Sequence, residues 1–247
     1  MNTRTIARGV ATLTLAAGLG LAGPVAVDAG TTPAPSPSAT PTAAPHSISL
    51  AALKVRCNSA VQRRLGTLAA DDSFVKQSGA LTSADRTALE GQISADQTGL
   101  TALDKTIQSD SALAPARADC ELIVTDYRVY VMEDPKIHEV IAADGVSTVN
   151  ATFETLIPEL QSLINASPVS ATVKAEAQAD LNDLTSKVSA AHTSISGVTA
   201  SVINLTPAGW PGNQVDLKSA HSNIGTARTD LAGARADVGH ILQLLGE

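Results

Sequence analysis

The sequence predicts an all-α fold, an elongated antiparallel bundle of about six helices with coiled-coil-like packing. Apolar residues recur at three- and four-residue spacing through most of residues 47–247, as they do on one face of a helix. The chain is 44% hydrophobic but only 2% aromatic, so its core must be built from Leu, Ile, Val and Ala, which long helices pack well. Gly79, Ser167-Pro168 and the run 206–212 fall between the periodic stretches, where helices stop.

The N-terminus reads differently. Arg4 and Arg8 precede an uncharged apolar run from Gly9 to Gly23, and Val27-Asp28-Ala29 offers small or permissive residues for cleavage. Residues 1–29 are therefore expected to be a secretory signal peptide cut after Ala29. The run is short for a membrane span; an uncleaved anchor is the alternative. Residues 30–46 alternate Pro, Thr, Ser and Ala and are expected to form a flexible linker, because such a segment cannot bury a core. The bundle then occupies residues 47–247, with a natural division into lobes 47–134 and 135–247. Without Arg4, Arg8 and Asp28, the 17 basic and 24 acidic residues become 15 and 23, a balance of −8. An acidic surface without a basic run argues against nucleic-acid partners and against anionic membrane surfaces. No stable membrane span is expected after signal cleavage.

The first helix is predicted from about Ser47 to Ser78, with Leu53, Cys57, Val61, Leu65 and Leu68 on one face and Gly79 as its stop. Arg63, Arg64, Asp71 and Asp72 read as its solvated face. The second opens at Thr82, with Asp85 three residues on as a weak capping box. Leu89, Ile93, Asp96, Leu100, Leu103 and Ile107 keep a four-three beat along it. Asp96 stands in that seam as a register device, an ion ligand or a polar group at a wet edge. The third helix presents Cys120, Val124, Tyr127 and Val131, widened by Ile123 and Tyr130. Residues 123–131 also alternate as a strand would; helix is preferred because no other segment offers a strand partner.

Asp134-Pro135 reads as N-cap and first residue of the fourth helix. Its apolar beat runs from Ile137 to Leu163, slips near Gly145, and meets Pro158, which should kink or restart the helix. The fifth is predicted to run unbroken from Val173 to Leu205, roughly 50 Å at 1.5 Å per residue. A turn follows, with Trp210 expected to plug the bundle end. In the sixth, Leu217, Ile224, Leu231, Val238 and Leu245 recur every seven residues, the first four followed three residues later by Ala220, Ala227, Ala234 and Ile241.

Cys57 and Cys120 are the only cysteines. In an exported chain they most simply form one disulfide, with two buried thiols as the alternative. An up-down-up arrangement makes the first and third helices parallel, and both cysteines lie near the same height in them, as a bridge requires.

No catalytic constellation is present. His138-Glu139 begins like a zinc-protease helix but lacks the second His at i+4, and Gly145-Val-Ser147 lacks the closing Gly of a nucleophile elbow. No phosphate loop and no CxxC occur. The expectation is a non-enzyme with no metal and no cofactor. One stretch concentrates polar and aromatic groups: Tyr127, Arg128, Tyr130, Lys136 and His138. Arg128 has no acid at i±3 or i±4, so these residues are either a small pocket in which Arg128 and Lys136 hold an anionic group or a packed bundle end.

At Cys57, Arg64-Leu65, Leu68, Leu81-Thr82, Arg86, Leu89, Asp119-Cys120, the run from Thr125 to Val131, Pro135 and His138, the chain resembles a group of uncharacterised exported, Ala-rich helical proteins of actinobacteria. The resemblance covers the N-terminal half of the mature chain and implies export and a helical fold, with no activity to carry over. The function expected is that of a secreted, non-enzymatic structural or protein-interaction protein, extracellular or cell-envelope associated, whose partner is a protein or an envelope component. The alternative is a small-ligand or anion-binding module centred on Tyr127 to His138.

Overall fold

The computed structural model describes residues 48–246; the expected signal peptide and linker lie outside the described residues. The described chain is an all-α bundle containing no strand. Its helices are α1 (Leu50–Gln77), α2 (Ser83–Ser109), α3 (Leu113–Thr125), α4 (Asp134–Ala166), α5 (Ala171–Ile195), α6 (Val198–Val202) and α7 (Gln214–Leu245). A single π-helical turn, Val129–Glu133, leads into α4. None of the described helices is long and apolar enough to cross a membrane.

Helices α1, α2 and α3 pack on one another, as do α4, α5 and α7, and α1 also meets α4 and the π turn. The pair α5 and α7 shares the longest seam. On α7 the buried residues are Leu217, Ala220, Ile224, Ala227, Leu231, Ala234, Val238, Ile241 and Leu245, the stripe that the spacing predicts. Facing it, Ala177, Leu181, Leu184, Val188, Ala191 and Ile195 are buried on α5. Small Ala residues in both stripes let the two backbones approach closely.

Side chains close the helix ends. Ser49, Thr82 and Ser170 accept from the backbone N–H of Ala52, Asp85 and Val173, satisfying orphan donors at three N-termini. The C-termini are closed by cations from neighbouring helices. Arg86 of α2 donates to the carbonyls of Val75, Lys76 and Ser78 at the end of α1. Lys54 of α1 donates to Gln108 O near the end of α2 at 2.7 Å, and Lys174 of α5 to Asn165 O at the end of α4 at 2.9 Å. A positive charge there also complements the negative end of the helix dipole.

Four expectations need correction. The third helix stops at Thr125, because the chain turns through Asp126 and Tyr127 and Arg128 takes a left-handed backbone, φ 42° and ψ 36°. Of the predicted stripe Ile123 is buried, joined by Ala116, Val129 and Met132, while Val124, Tyr130 and Val131 are exposed. Asp134 is no cap, since the π turn delivers the chain already helical and Asp134 itself has φ −59° and ψ −52°. The fifth helix is broken at Gly197, whose φ of 75° is open to glycine without a Cβ penalty. Ile195, Val198 and Val202 stay buried across the break, so the apolar beat passes over it unchanged. Asp71 is 4% exposed rather than solvated. Pro158 lies within α4, which continues through it to Ala166.

Cys57 and Cys120 form a disulfide with a Cα–Cα distance of 5.7 Å. Each lies seven residues past the first residue of its helix, Leu50 or Leu113, as parallel helices starting at one end require. The bridge spans a sequence separation of 63, which the chain-entropy account values at about 4 kcal/mol through restriction of the unfolded chain. Reduction of the purified protein is expected to lower its melting temperature by at least several degrees. Thermal melting with and without reductant, with thiol titration of the native protein, measures this; unchanged melting with two free native thiols would refute the bridge.

Candidate functional site

The five residues singled out from Tyr127 to His138 do not converge on one pocket. Tyr127 is half-buried with its hydroxyl against Gly99 of α2, where any Cβ would collide with it. Burial, and then the charge of Asp96, push its phenol upward. Arg128 donates from Nε to Pro207 O at 3.2 Å and holds its guanidinium 5.7 Å from the Trp210 ring. Tyr130 is 45% exposed, with the Arg64 guanidinium 4.9 Å from its ring centre. Lys136 is 1% exposed; its Nζ lies 2.6 Å from Glu133 Oε2 and donates to Leu205 O at 3.1 Å. His138 faces outward, with Nε2 3.5 Å from Asp134 Oδ1 and its ring 5.0 Å from Phe74.

Two of these side chains thus hold the connector between α6 and α7. Gln92 donates to Ile203 O, Lys136 to Leu205 O, Asn213 to Thr206 O and Arg128 to Pro207 O. Irregular backbone can be buried only when its carbonyls find donors, and here four side chains supply them. Lys136 is not available to an external anion, because burial seals it and Glu133 already neutralises it. Trp210 does not plug the core; it is half-buried and stacked with Arg128 at the surface.

The Lys136 site carries more acid than base. Burial raises Glu133, while Lys136 pulls it down. Burial, assisted by the charge on Glu133 and opposed by Lys136, pushes Asp96 up to about 6. The predicted seam residue is therefore a half-buried acid that holds its proton to higher pH than an exposed aspartate does.

A second cluster lies where α1 meets α4. Asp71, Asp134 and His138 each bring one ligand-type atom to within 4.8 Å of the others. Burial and the neighbouring Asp134 push Asp71 up to about 7. Hydrogen bonding with His138 holds Asp134 below its ordinary value, and the same contact raises His138. Asp71 Oδ2 is buried without a hydrogen-bond partner. A signal for Asp71 does exist in the sequence. The buried beat Cys57, Val61, Leu68 and Val75 continues through positions 64 and 71, so Arg64 and Asp71 are polar groups at seam positions. Reading them as a solvated face overlooked that phase.

Among the described residues, two concave surfaces lie near these groups. A cavity of about 620 Å³ opens beside the break at Gly197, where Asp144 accepts from Thr82 N and from Thr199 Oγ1. A shallower groove of about 470 Å³ lies over the π turn, lined by Tyr130, Val131, Pro135, Trp210, Leu217 and Lys218. His221 and Glu139, 2.9 Å apart, close its far side and tie α7 to α4. The chain has one Trp and two Tyr, and this groove gathers the Trp and one Tyr.

Lys136→Met is expected to destabilise the protein by about 3–5 kcal/mol, the cost of stranding a buried carboxylate, and Glu133→Gln added to it recovers most of that loss; chemical denaturation of the double-mutant cycle measures both. Asp96 has a raised pKa in the fold, so the native state binds more protons than the unfolded one between about pH 4 and pH 6, and stability falls as pH rises through that window. Asp96→Asn is expected to flatten that fall and, after allowance for partial solvent screening, to gain about 1 kcal/mol at pH 7.5 while remaining neutral near pH 4. Melting curves of both proteins across pH 4–8 test this. No family model matches the chain, and no curated protein or solved structure shows significant similarity to it.

Proposed function

We propose that this chain is exported and acts without catalysis, as a protein-interaction module whose binding face is the groove between Tyr130 and Trp210. The observation that carries the reading is the placement of scarce aromatic surface. Tyr130 and Val131 are each 45% exposed beside Trp210 in an open groove, although the chain is only 2% aromatic. Arg64 and Arg128 stack on these two rings. Trp, Tyr and Arg are the side chains that dominate binding energy at protein interfaces.

Charge narrows the partner. Arg64, Arg128 and Lys218 stand on or beside the groove, and among the described residues none of the three makes an ion pair. Three unneutralised cations around an apolar trough suit a protein segment that presents an apolar side chain flanked by carboxylates. With Glu139 the one acid on its lining, the groove is still net positive on an otherwise acidic chain, which favours a foreign acidic partner over nucleic acid or a lipid surface. Export is supported by the N-terminal segment read from the sequence and by the Cys57–Cys120 bridge, since disulfides persist in oxidising compartments.

The test is capture from the producing cell's envelope and medium with the wild-type protein and with Tyr130→Ala/Trp210→Ala. A partner that is identified, purified and bound at least tenfold more weakly by the double variant, with its helical circular dichroism intact, supports the reading. Lys218→Glu is expected to weaken the same complex and to reduce its salt dependence. Binding unchanged by all three substitutions, or loss of a wild-type dimer in the double variant, would remove the acidic-partner assignment.

A further inference from the structure

We propose that Asp71, Asp134 and His138 form a binding site for a divalent transition-metal ion of the Zn²⁺ class, joining α1 to α4. Asp134 and His138 are four residues apart on α4 and so lie on one face, one turn apart. Asp71 reaches the same point from α1. The three ligand-type atoms lie within 4.8 Å of one another. Around a tetrahedral ion with ligand distances of about 2.0–2.2 Å, ligand atoms stand about 3.4 Å apart. His138 Nε2 and Asp134 Oδ1 are 3.5 Å apart, so that edge is already formed. The Asp71 atom lies within 4.8 Å of both, so binding the ion requires it to close in on the remaining corner.

Asp71 supplies the independent sign of a ligand. It is 4% exposed, and its Oδ2 has no hydrogen-bond partner. A buried carboxylate oxygen left unpaired is costly, and a bound cation would satisfy it. The other three described histidines each face one carboxylate: His192 faces Glu154, His221 faces Glu139, and His240 faces Asp180. His138 alone among the described histidines has a second, buried carboxylate within reach. The donor set decides the ion. One imidazole with two carboxylates suits Zn²⁺ and its neighbours, whereas Ca²⁺ requires six to eight oxygens and Mg²⁺ an octahedron of them. The His138 and Asp134 side chains are 44% and 36% exposed, which gives the ion a path from solvent and leaves the fourth coordination position to water.

Isothermal titration of the purified, untagged protein with ZnCl₂ is expected to show one ion per chain. Asp71→Asn and His138→Gln should each weaken it at least tenfold, while His192→Gln/His240→Gln leaves it unchanged. The absorption spectrum of Co²⁺ added to the unsubstituted protein gives a reading that needs no variant: intense tetrahedral bands, removed by Zn²⁺, are expected. Absence of stoichiometric binding, affinity untouched by either cluster variant, or the weak spectrum of hydrated octahedral Co²⁺ overturns the site.

Discussion

A single buried ammonium organises the centre of this protein. Lys136 sits in the first turn of α4, 1% exposed, and reaches two groups that could not otherwise be buried. Glu133 belongs to the π turn that redirects the chain after α3, and Leu205 to the connector that returns it to α7. One charge thereby ties the start of α4 both to the π turn before it and to the connector before α7. Glu133 neutralises it, and a second acid is left over: Asp96 lies close enough to feel both Glu133 and Lys136, and burial drives it toward its neutral form. Buried ion pairs are weak sources of net stability, but they penalise arrangements in which one partner is left alone.

Several basic residues are directed at backbone carbonyls, while Lys76 and Lys187 pair with carboxylates. Arg86, Lys54 and Lys174 close helix ends, and Arg128 and Lys136 hold the irregular connector. This explains how an acidic chain can leave cations beside the Tyr130–Trp210 groove without ion pairs. It also explains the left-handed backbone at Arg128, a conformation costing an L-residue about 1–2 kcal/mol. The distortion aims the side chain at both Pro207 O and the Trp210 ring.

Much of the architecture was legible in the sequence because it rests on periodicity and on caps. The buried stripe of α7 and the Thr82 cap follow from spacing, and the Cys57–Cys120 bridge from two cysteines at matching heights in a chain read as exported. The misses have a common cause. Periodicity records which residues are buried but is blind to a break that preserves phase, so Ile195, Val198 and Val202 hid the interruption at Gly197. Nothing local marks the turn at Tyr127 and Arg128, whose stability comes from groups some 80 residues away around Pro207 and Trp210. The candidate site was partly legible. His138 and the exposed Tyr130 lay in the stretch singled out, but the polar residues at seam positions 64 and 71 were passed over. The role of Lys136 required knowing where Leu205 would fall.

The exchange of cations between helix ends has a consequence for how this chain tolerates change in length. Arg86 reaches back to the end of α1, and Lys54 reaches across to the end of α2, so the two helices gauge each other. An added residue advances a helix by about 1.5 Å and rotates its end by about 100°. That carries the terminal carbonyls out of reach of a side chain anchored on its neighbour. The hydrophobic seam of α1 and α2 could absorb an inserted heptad, since its beat would simply repeat, whereas the two end clamps could not. Helix length in this half of the bundle is therefore metered by charge, and natural insertions should collect outside the helices, in the loops and toward the N-terminal segment.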